Sequence, residues 1–592
     1  MNGASGSRIH FHISWVARAT IVAATAFGSR AALAMLTVGP ASDGACQYHD
    51  LGAAVAAAAQ SPGFDLIAVS GGPWTAQTSI VDHDPDGLTI EGGYANCSAG
   101  LSSGRTTLDG AGAQPAGPLF VHSGNGPLTL RHLVLQNAAG GIQSVVAGPL
   151  TLADVIVYSN HADYGGGLFV SGNDIFRPQL NLIGSSINSN SATVNGGGLY
   201  LNRVDVSITG GSNIVGNIAQ GGAGTSDGGG IYAIDSNIVF NDHSVASIPT
   251  IGNNYAQRNG GGVYFSTTRA GAYEILLWND LANAPIVVDH NAAQNQGGAF
   301  YLSSIASGPQ IFSFAGLENV QVTNNESYEG AAFYAFSSGA SASVGTLVQM
   351  GQSMPGDAIP ACSRGIACNT IDDNHAVGGS VVQMSSAGDS GHSSFILHRG
   401  RMRGNRGGAL VGGNGYIDID SSLVADNTID GGGSLMYDIS ADLLVTNCTI
   451  ANNLVAGGDL FVVAIPPASL SILHSLLVQP STAPVTGYDA GNGVAVTVRD
   501  IGAMNVGITG TNVQFLTDPF VDGGNGDYHI RDTSSAVDRW GPSGDPNDVP
   551  PALDLDGALR PYQHNSASTP YDFGCYEADA IVDPIFIDGF DT

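Results

Sequence analysis

The sequence predicts an all-β protein built as a single-stranded, right-handed parallel β-helix. Three observations lead to this prediction: 84 of the 592 residues are glycine, a unit of about 30 residues recurs, and apolar and polar residues alternate within each unit. A near-constant period of this size is typical of solenoids and arrays. Alternation along a strand places every second side chain in a core. Glycine does not recur at every third position, which excludes a collagen.

The recurring unit is an asparagine, a short polar stretch, two or three glycines and then bulky apolar residues. The first glycines of successive clusters lie 31, 32, 32, 37 and 33 residues apart, at Gly165, Gly196, Gly228, Gly260, Gly297 and Gly330. The preceding asparagines are Asn160, Asn190, Asn217, Asn254, Asn291 and Asn325, with weaker copies at Asn374, Asn405, Asn427 and Asn453.

Each unit contains three short alternating segments, for example 199–204, 206–209 and 212–215, so three strands per coil are expected. Glycine supplies the positive φ or close backbone approach that tight corners need. Asparagine tolerates the left-handed region, and stacked asparagines can form a hydrogen-bonded ladder. A propeller blade would need about 40–50 residues, so the β-helix is favoured.

This unit resembles the repeat of polymorphic outer membrane proteins and of bacterial right-handed parallel β-helix repeat proteins, over roughly residues 150–460. The resemblance implies a pectin-lyase-like solenoid and says almost nothing about function. We place the β-helix at 111–515. Roughly 13–18 coils at ~4.8 Å each would make a rod of about 60–90 Å.

Both ends of the solenoid are expected to be covered, because an open coil exposes its core and strand edges. In front, residues 35–110 contain the first strands and a capping helix that starts at Asp50, a good N-cap residue. Behind, residues 516–578 resemble the choice-of-anchor Q domain of secreted β-helix proteins, which implies surface anchoring or sorting; Cys575 departs from that pattern. The motifs are Asp518-Pro519-Phe520, Gly526-Asp527-Tyr528-His529-Ile530, Asp554-Leu555-Asp556-Gly557 and Asp572-Phe573-Gly574-Cys575-Tyr576-Glu577.

Residues 1–34 have the pattern of a signal peptide, because arginines precede an apolar run and Ala32-Leu33-Ala34 offers a small-x-small cleavage site. A buried N-terminal helix is the alternative. The tail 579–592 resembles the short acidic tail of exported Gram-negative proteins. The expected location is therefore secreted or on the outer-membrane surface of a Gram-negative bacterium. No later stretch reaches 18 apolar residues, so no transmembrane segment is expected in the mature chain.

The net charge is −31 and all 18 basic residues are arginine. This charge argues against nucleic acid and anionic membranes as partners. The six cysteines fit export. Their spacing predicts Cys46–Cys97 and Cys362–Cys368 pairs, although fifteen pairings are possible. No CxxC pair or Cys/His cluster predicts zinc, and a monomer is expected.

Asp82, Asp84 and Asp86 alternate before a glycine, as at the start of a calcium loop. The twelfth position of an EF-hand would be Gly93 instead of glutamate, and the flanks are strand-like. The segment is therefore either a calcium site outside the EF-hand class or a polar turn. No other cofactor is expected.

The best catalytic cluster contains Asp372 and Asp373, followed by His392 and Arg401. It faintly resembles the acidic, Gly-His and basic elements of polygalacturonases, which implies acid–base hydrolysis by paired carboxylates with an arginine holding a substrate carboxylate. In that family the elements are spread over successive coils and the basic element contains a lysine, which this chain lacks. Asp373-Asn374 also falls on the ordinary asparagine position of the repeat.

The sequence therefore predicts a secreted or surface-displayed, non-catalytic β-helix in adhesion or in contact with a glycan or matrix. One alternative is a polysaccharide hydrolase or lyase acting on acidic glycans through Asp372, Asp373, His392 and Arg401. The other is a calcium-stabilised structural rod.

Overall fold

The structure is a computed structural model in which nearly all regular elements are strands. Residues 1–33 of the expected signal peptide, the expected Cys362–Cys368 pair and the tail 579–592 lie outside the described residues. The structure describes residues 34–75, 78–98, 100, 104–111, 117–222, 224–240, 248–270, 272–279, 285–305, 311–339, 344–351, 369–387, 391–482, 484–542, 551–560 and 570–578.

Three long parallel sheets form a right-handed parallel β-helix, as predicted. In the strand Leu199–Asn202, Leu199 and Leu201 are fully buried while Tyr200 points outward. Leu199 pairs in register with Ile231 of the next coil, so apolar side chains stack in columns along the axis. Each fully buried leucine or isoleucine contributes about 1.5–3 kcal/mol relative to an exposed one.

The sheets contain 31, 15 and ten strands within the described residues. The 31-stranded sheet consists of Ala34–Val38, Asp65–Ser70, Trp74–Thr75, Leu88–Tyr94, Thr106–Asp109, Leu128–Arg131, Leu133–Gln136, Leu150–Ala153, Ile156–Tyr158, Gln179–Ile183, Ser186–Asn188, Asp205–Thr209, Asn213–Val215, Asn237–Phe240, Thr250–Gly252, Tyr273–Asn279, Ile286–Asp289, Ile311–Glu318, Val320–Thr323, Val344–Met350, Thr370–Asp372, Gly391–His398, Arg401–Arg403, Gly415–Asp420, Leu423–Ala425, Leu443–Thr446, Thr449–Ala451, Ser469–Leu473, Leu476–Val478, Ala495–Met504 and Thr511–Phe515. The 15-stranded sheet consists of Ile80–Asp82, Phe120–His122, Ile142–Val145, Leu168–Ser171, Leu199–Asn202, Ile231–Ile234, Val263–Thr267, Phe300–Ile305, Phe333–Ser338, Ser380–Ala387, Ala409–Gly413, Met436–Asp438, Asp459–Val463, Val485–Ala490 and Val506–Gly507. The ten-stranded sheet consists of His161–Tyr164, Ser191–Asn195, Ile218–Ala219, Tyr255–Ala256, Ala292–Ala293, Glu326–Ser327, His375–Ala376, Arg406–Gly407, Thr428–Ile429 and Leu454–Val455.

A typical coil has four strands, one more than expected. Residues Leu150–Ala153 and Ile156–Tyr158 belong to the same sheet, which bends between them at Asp154, a residue with positive φ. Most strands of the ten-stranded sheet are only two residues long, too short for alternation to predict them. The fifteen strands of the second sheet correspond to fifteen coils and about 70 Å of length.

The predicted asparagine ladder runs along one corner of the β-helix. Each ladder amide Nδ2 donates to Oδ1 of the next asparagine at 2.9–3.1 Å, and each of these side chains is at most 1% exposed. The same Nδ2 atoms also donate to a strand carbonyl, as Asn291 does to Ile251. The ladder consists of Asn160, Asn190, Asn217, Asn254, Asn291, Asn325, Asn374, Asn405, Asn427 and Asn453.

Positive φ angles mark the corners, with one difference from expectation. The first glycine of each regular cluster has a φ of 58–69°, as predicted; Gly260, for example, has 69°. The ladder asparagines themselves do not have positive φ. The residue before each one does, such as His290 before Asn291 and Asp373 before Asn374. The ladder position is therefore set by hydrogen bonding, and the preceding residue makes the turn.

The predicted capping helix is Leu51–Ala58, and Asp50 caps it by accepting a hydrogen bond from the Ala53 amide at 2.7 Å. The predicted Cys46–Cys97 disulfide is present beside this helix. Cys448 and Cys575 are both buried and unpaired in the described chain.

The described residues 516–542, 551–560 and 570–578 pack together on the side of the β-helix, and we call them the C-terminal module. It contains the antiparallel strands Phe520–Asp522 and Asp527–Ile530, joined by the 3-10 turn Gly523–Asn525. Its aromatic core packs on outward-facing strand residues of the β-helix. These contacts involve Leu423, Ala425, Ala451, Leu476 and Val478 on the β-helix, and Phe520, Tyr528, Trp540, Phe573 and Tyr576 in the module.

Candidate functional site

Four of the 18 arginines fall within one coil, at Arg399, Arg401, Arg403 and Arg406. Met402 is fully buried in the core, so the alternation of the strand Arg401–Arg403 points both of its arginines outward. They face the C-terminal module. Arg399, at the preceding corner, donates to the Asp554 carbonyl of that module at 2.9 Å.

Asp372 lies beside Arg401 because their strands are neighbours in register. Arg401 Nε donates to Asp372 Oδ2 at 3.1 Å, and the Arg403 amide donates to Oδ1 at 3.1 Å. Burial raises the pKa of Asp372, and the Arg401 guanidinium opposes this rise only in part. The Asp372 carboxylate is thus hydrogen-bonded to Arg401 and Arg403, and the residue is only 7% exposed.

Arg403 is held by a second carboxylate. Its Nε donates to Asp426 Oδ2 at 2.7 Å, while Asp426 Oδ1 accepts from the Tyr528 hydroxyl at 2.5 Å and from Asn452 at 2.6 Å. The Arg403 guanidinium carbon also lies 5.9 Å from the centre of the Tyr528 ring. Burial and the Asp426 carboxylate raise the pKa of Tyr528, which keeps its hydroxyl protonated as a donor.

The two arginines and the two aspartates that hold them line a cleft of about 570 Å³ between the β-helix and the C-terminal module. Two glycines make room for it. A Cβ on Gly404 would come within 2.1 Å of Asp373 Oδ1, and one on Gly526 would come within 2.1 Å of Arg403 Nη2. Both glycines also have positive φ. The lining residues are Asp372, Asp373, Arg401, Arg403, Gly404, Asp426, Gly523, Gly524, Asn525 and Gly526.

The cleft is nearly charge-compensated. Two guanidiniums pair with the carboxylates of Asp372 and Asp426, and the exposed Asp373 carboxylate leaves a formal charge of −1. Nη1 of Arg401 and both Nη atoms of Arg403 make no hydrogen bond with described residues, so they can donate to a ligand. The lining therefore offers several donors and acceptors but no apolar side chain.

The structure brings Asp372, Asp373 and Arg401 together and places His392 elsewhere. His392 is exposed near the start of the strand Gly391–His398, six residues before its end, and pairs with Gly345. Six strand residues span about 20 Å. Sequence reasoning missed Asp426, although it precedes Asn427 just as Asp373 precedes the ladder residue Asn374. It also missed Gly523–Asn525, which no repeat pattern links to this coil.

The three aspartates of the calcium candidate lie in and after the strand Ile80–Asp82. Asp82 is buried; its Oδ2 lies 2.8 Å from His122 Nδ1 and its Oδ1 accepts from the Asp84 amide. Asp84 Oδ1 accepts from the Asp86 amide at 2.8 Å. Both carboxylate oxygens of Asp82 thus have hydrogen-bond partners within the fold. Among the described residues, the one trio of ligand atoms close enough for a metal is Asp43, Cys46 and Cys97, whose cysteines form the disulfide, so Asp82, Asp84 and Asp86 do not converge as a trio.

No protein-family model matches the chain, and a search of curated proteins finds no match either. Among the described residues, no helix has the length and apolar character needed to cross a bilayer.

Proposed function

We propose that this protein is an exported, non-catalytic β-helix that binds a neutral glycan in the cleft between the β-helix and the C-terminal module. The observation that carries the proposal is the cleft itself, where Asp372 and Asp426 hold Arg401 and Arg403 in fixed orientations. Sugar hydroxyls both donate and accept hydrogen bonds. A rigid polar surface with paired charges therefore suits them, and its volume is that of an ordinary ligand site.

Electrostatics favour a neutral glycan over an acidic one. The cleft carries a formal charge of −1 and the chain carries −31. Charges within about one Debye length, ~8 Å at physiological ionic strength, act on a bound ligand. A uronate would face Asp373 directly, with both guanidiniums already paired, whereas a neutral sugar meets no such repulsion.

Export is part of the proposal. The signal-like segment 1–34 supports it, and so does the Cys46–Cys97 disulfide, a bond that persists in oxidising compartments. The resemblance to polymorphic outer membrane protein repeats and to the choice-of-anchor Q domain supports display at the surface of a Gram-negative cell, with a role in adhesion or matrix contact.

Hydrolysis of a polysaccharide is the second candidate. Asp372 and Asp373 line the same cleft, and a carboxyl whose pKa is raised by burial can act as a general acid. The ion pair with Arg401 opposes this role because it stabilises the ionised form of Asp372.

Affinity electrophoresis through gels that contain neutral or acidic polysaccharides tests the proposal. We expect retardation by at least one neutral glycan and none by polygalacturonate. Arg403→Gln should weaken retention about 10- to 100-fold, because a hydrogen bond from a charged donor contributes ~1.5–3 kcal/mol. Arg406→Gln is the matched control, since Arg406 pairs with Asp430 outside the cleft.

Reducing ends released from the same polysaccharides distinguish the two candidates. Product formation that disappears in Asp372→Asn and Asp373→Asn would establish the hydrolase. Failure of every glycan to retain the wild-type chain would refute the binding proposal.

A further inference from the structure

Two buried carboxylates at the N-terminal end of the β-helix each have an oxygen without a hydrogen-bond partner. Asp65 and Asp84 are both 1% exposed, and the Oδ2 atom of each is buried and unpaired among the described residues. Burying a charged oxygen without a partner is costly. The fold nevertheless places both side chains below the surface.

The two side chains belong to adjacent coils. Asp65 begins the strand Asp65–Ser70 and pairs in register with Leu88, and its amide donates to the Gly87 carbonyl at 3.1 Å. Asp84 lies in the turn that leads into the strand Leu88–Tyr94. Both residues contact Gly87, because the Gly87 carbonyl accepts from the Asp65 amide and the Gly87 amide donates to Asp84 Oδ1 at 3.0 Å.

Hydrogen bonds fix the turn in this arrangement. Asp84 Oδ1 accepts from the amides of Asp86 and Gly87 at 2.8 and 3.0 Å, and Asp86 Oδ2 accepts from the Gly63 amide at 2.9 Å. Asp84 therefore cannot turn towards solvent without losing two bonds. Neither Asp65, Asp84 nor Asp86 forms an ion pair with any described residue, in contrast to Asp82, which His122 partners.

We propose that a divalent cation, Ca²⁺, binds between the Oδ2 atoms of Asp65 and Asp84. Calcium prefers carboxylate and carbonyl oxygens and tolerates irregular geometry, whereas Mg²⁺ needs a near-ideal octahedron. Zinc favours nitrogen and sulfur ligands, and both nitrogens of the nearby His122 are already hydrogen-bonded. The ion joins the strand that begins at Asp65 to the next coil. It therefore stabilises the first coils of the β-helix, beside the capping helix.

This site differs from the calcium loop that the sequence suggests. Asp82 is excluded because His122 and the Asp84 amide occupy its oxygens. Asp65 enters instead, 19 residues before Asp84 in the sequence. The stacking of adjacent coils brings Asp65 and Asp84 together, and their spacing in the sequence does not predict this.

Isothermal titration of the EDTA-treated chain with CaCl₂ tests the proposal. We expect one saturable site per chain, with affinity at least tenfold weaker in Asp65→Asn and in Asp84→Asn. Asp163→Asn, which changes an exposed carboxylate of a different coil, should bind as the wild type does. An equal concentration of MgCl₂ should not occupy the site.

Hydrogen exchange of the wild-type chain gives an independent local measurement. Calcium should slow exchange of the Asp86 and Gly87 amides, which donate to Asp84, and leave the amides of the C-terminal coils unchanged. This measurement decides the question if either aspartate variant fails to fold. Absence of saturable binding, equal binding by Asp65→Asn, or protection elsewhere in the chain would overturn the proposal.

Discussion

Asn291 shows how one side chain holds three coils together. Its Oδ1 accepts from the amide and Nδ2 of Asn254, and its Nδ2 donates to the Ile251 carbonyl and to Asn325 Oδ1. Asn291→Ala would leave several buried polar groups without partners, each costing about 1–3 kcal/mol. We expect the free energy of unfolding to fall by ~3–5 kcal/mol, measured by urea denaturation followed by circular dichroism.

Asn188→Ala is the matched control for this prediction. Asn188 lies on a strand of the same β-helix, but it is only half-buried and donates to the neighbouring Ser186 hydroxyl. We expect a change within about 0.5 kcal/mol. A similar loss in both variants would mean that the ladder has no special part in stability.

Residue-scale prediction succeeds where a residue type has one physical reason to be present. The positive φ of Gly196 and Gly260 follows from the sequence because tight corners favour glycine. Asparagine has two such reasons, a left-handed backbone and an amide side chain. The expectation of left-handed ladder asparagines was wrong because the amide ladder alone accounts for them.

At the scale of elements, the C-terminal module carries titratable groups that weaken it as pH rises. Burial, with the nearby Glu577 carboxylate, raises the pKa of Asp572 from 3.8 to about 7. Burial lowers the pKa of His529, but hydrogen bonds to Asp556 and Asp527 outweigh it and raise the pKa above 6.5. Each group retains a proton in the folded module that the unfolded chain releases. Their stabilisation is present at low pH and is lost as the pH rises, for Asp572 from about 4 to 7 and for His529 through its folded pKa.

We therefore expect the module to unfold at a lower urea concentration at pH 8 than at pH 5. Trp540, buried in the module and stacked on His474 at 3.6 Å, provides the fluorescence signal once Trp540→Phe has identified its contribution. His529→Gln should reduce the difference between the two pH values. A midpoint that rises with pH would contradict the upward direction of both pKa shifts.

Element prediction from the sequence depends on length and period. The strands that alternate over four or more residues, such as Leu168–Ser171, were predictable from this pattern. Two-residue strands such as Tyr255–Ala256 carry no such signal. Only the part of the cleft on the β-helix, with Asp372, Asp373 and Arg401, was predicted from the sequence. The module has no repeat, so the sequence does not show which coils it packs against.

At the scale of the whole molecule, the β-helix and the module share no sheet among the described residues. Coil-to-coil ladders account for the parallel sheets, whereas the module contributes only an antiparallel pair and contacts with the side of the coils. A chain ending at residue 515 should retain its far-ultraviolet circular dichroism. The truncated chain should bind more of a hydrophobic dye, since Leu423 and Leu476 become exposed when the module is removed. It should also lose glycan retention, because Gly523–Asn525 form part of the cleft.

The full-length chain is the reference for that comparison. Loss of the strand signal on truncation would show that the module is needed for the β-helix to form. Unchanged glycan retention would show that the ligand binds outside the cleft.

The asparagine ladder keeps a hydrogen-bond length of 2.9–3.1 Å while the chain between successive members varies from 22 to 49 residues. The hydrogen-bond spacing along the ladder therefore does not depend on how many residues a coil contains. Such an architecture accepts foreign peptides of very different length at fixed intervals of about 4.8 Å. It could serve as a ruler on which binding epitopes are displayed at chosen separations.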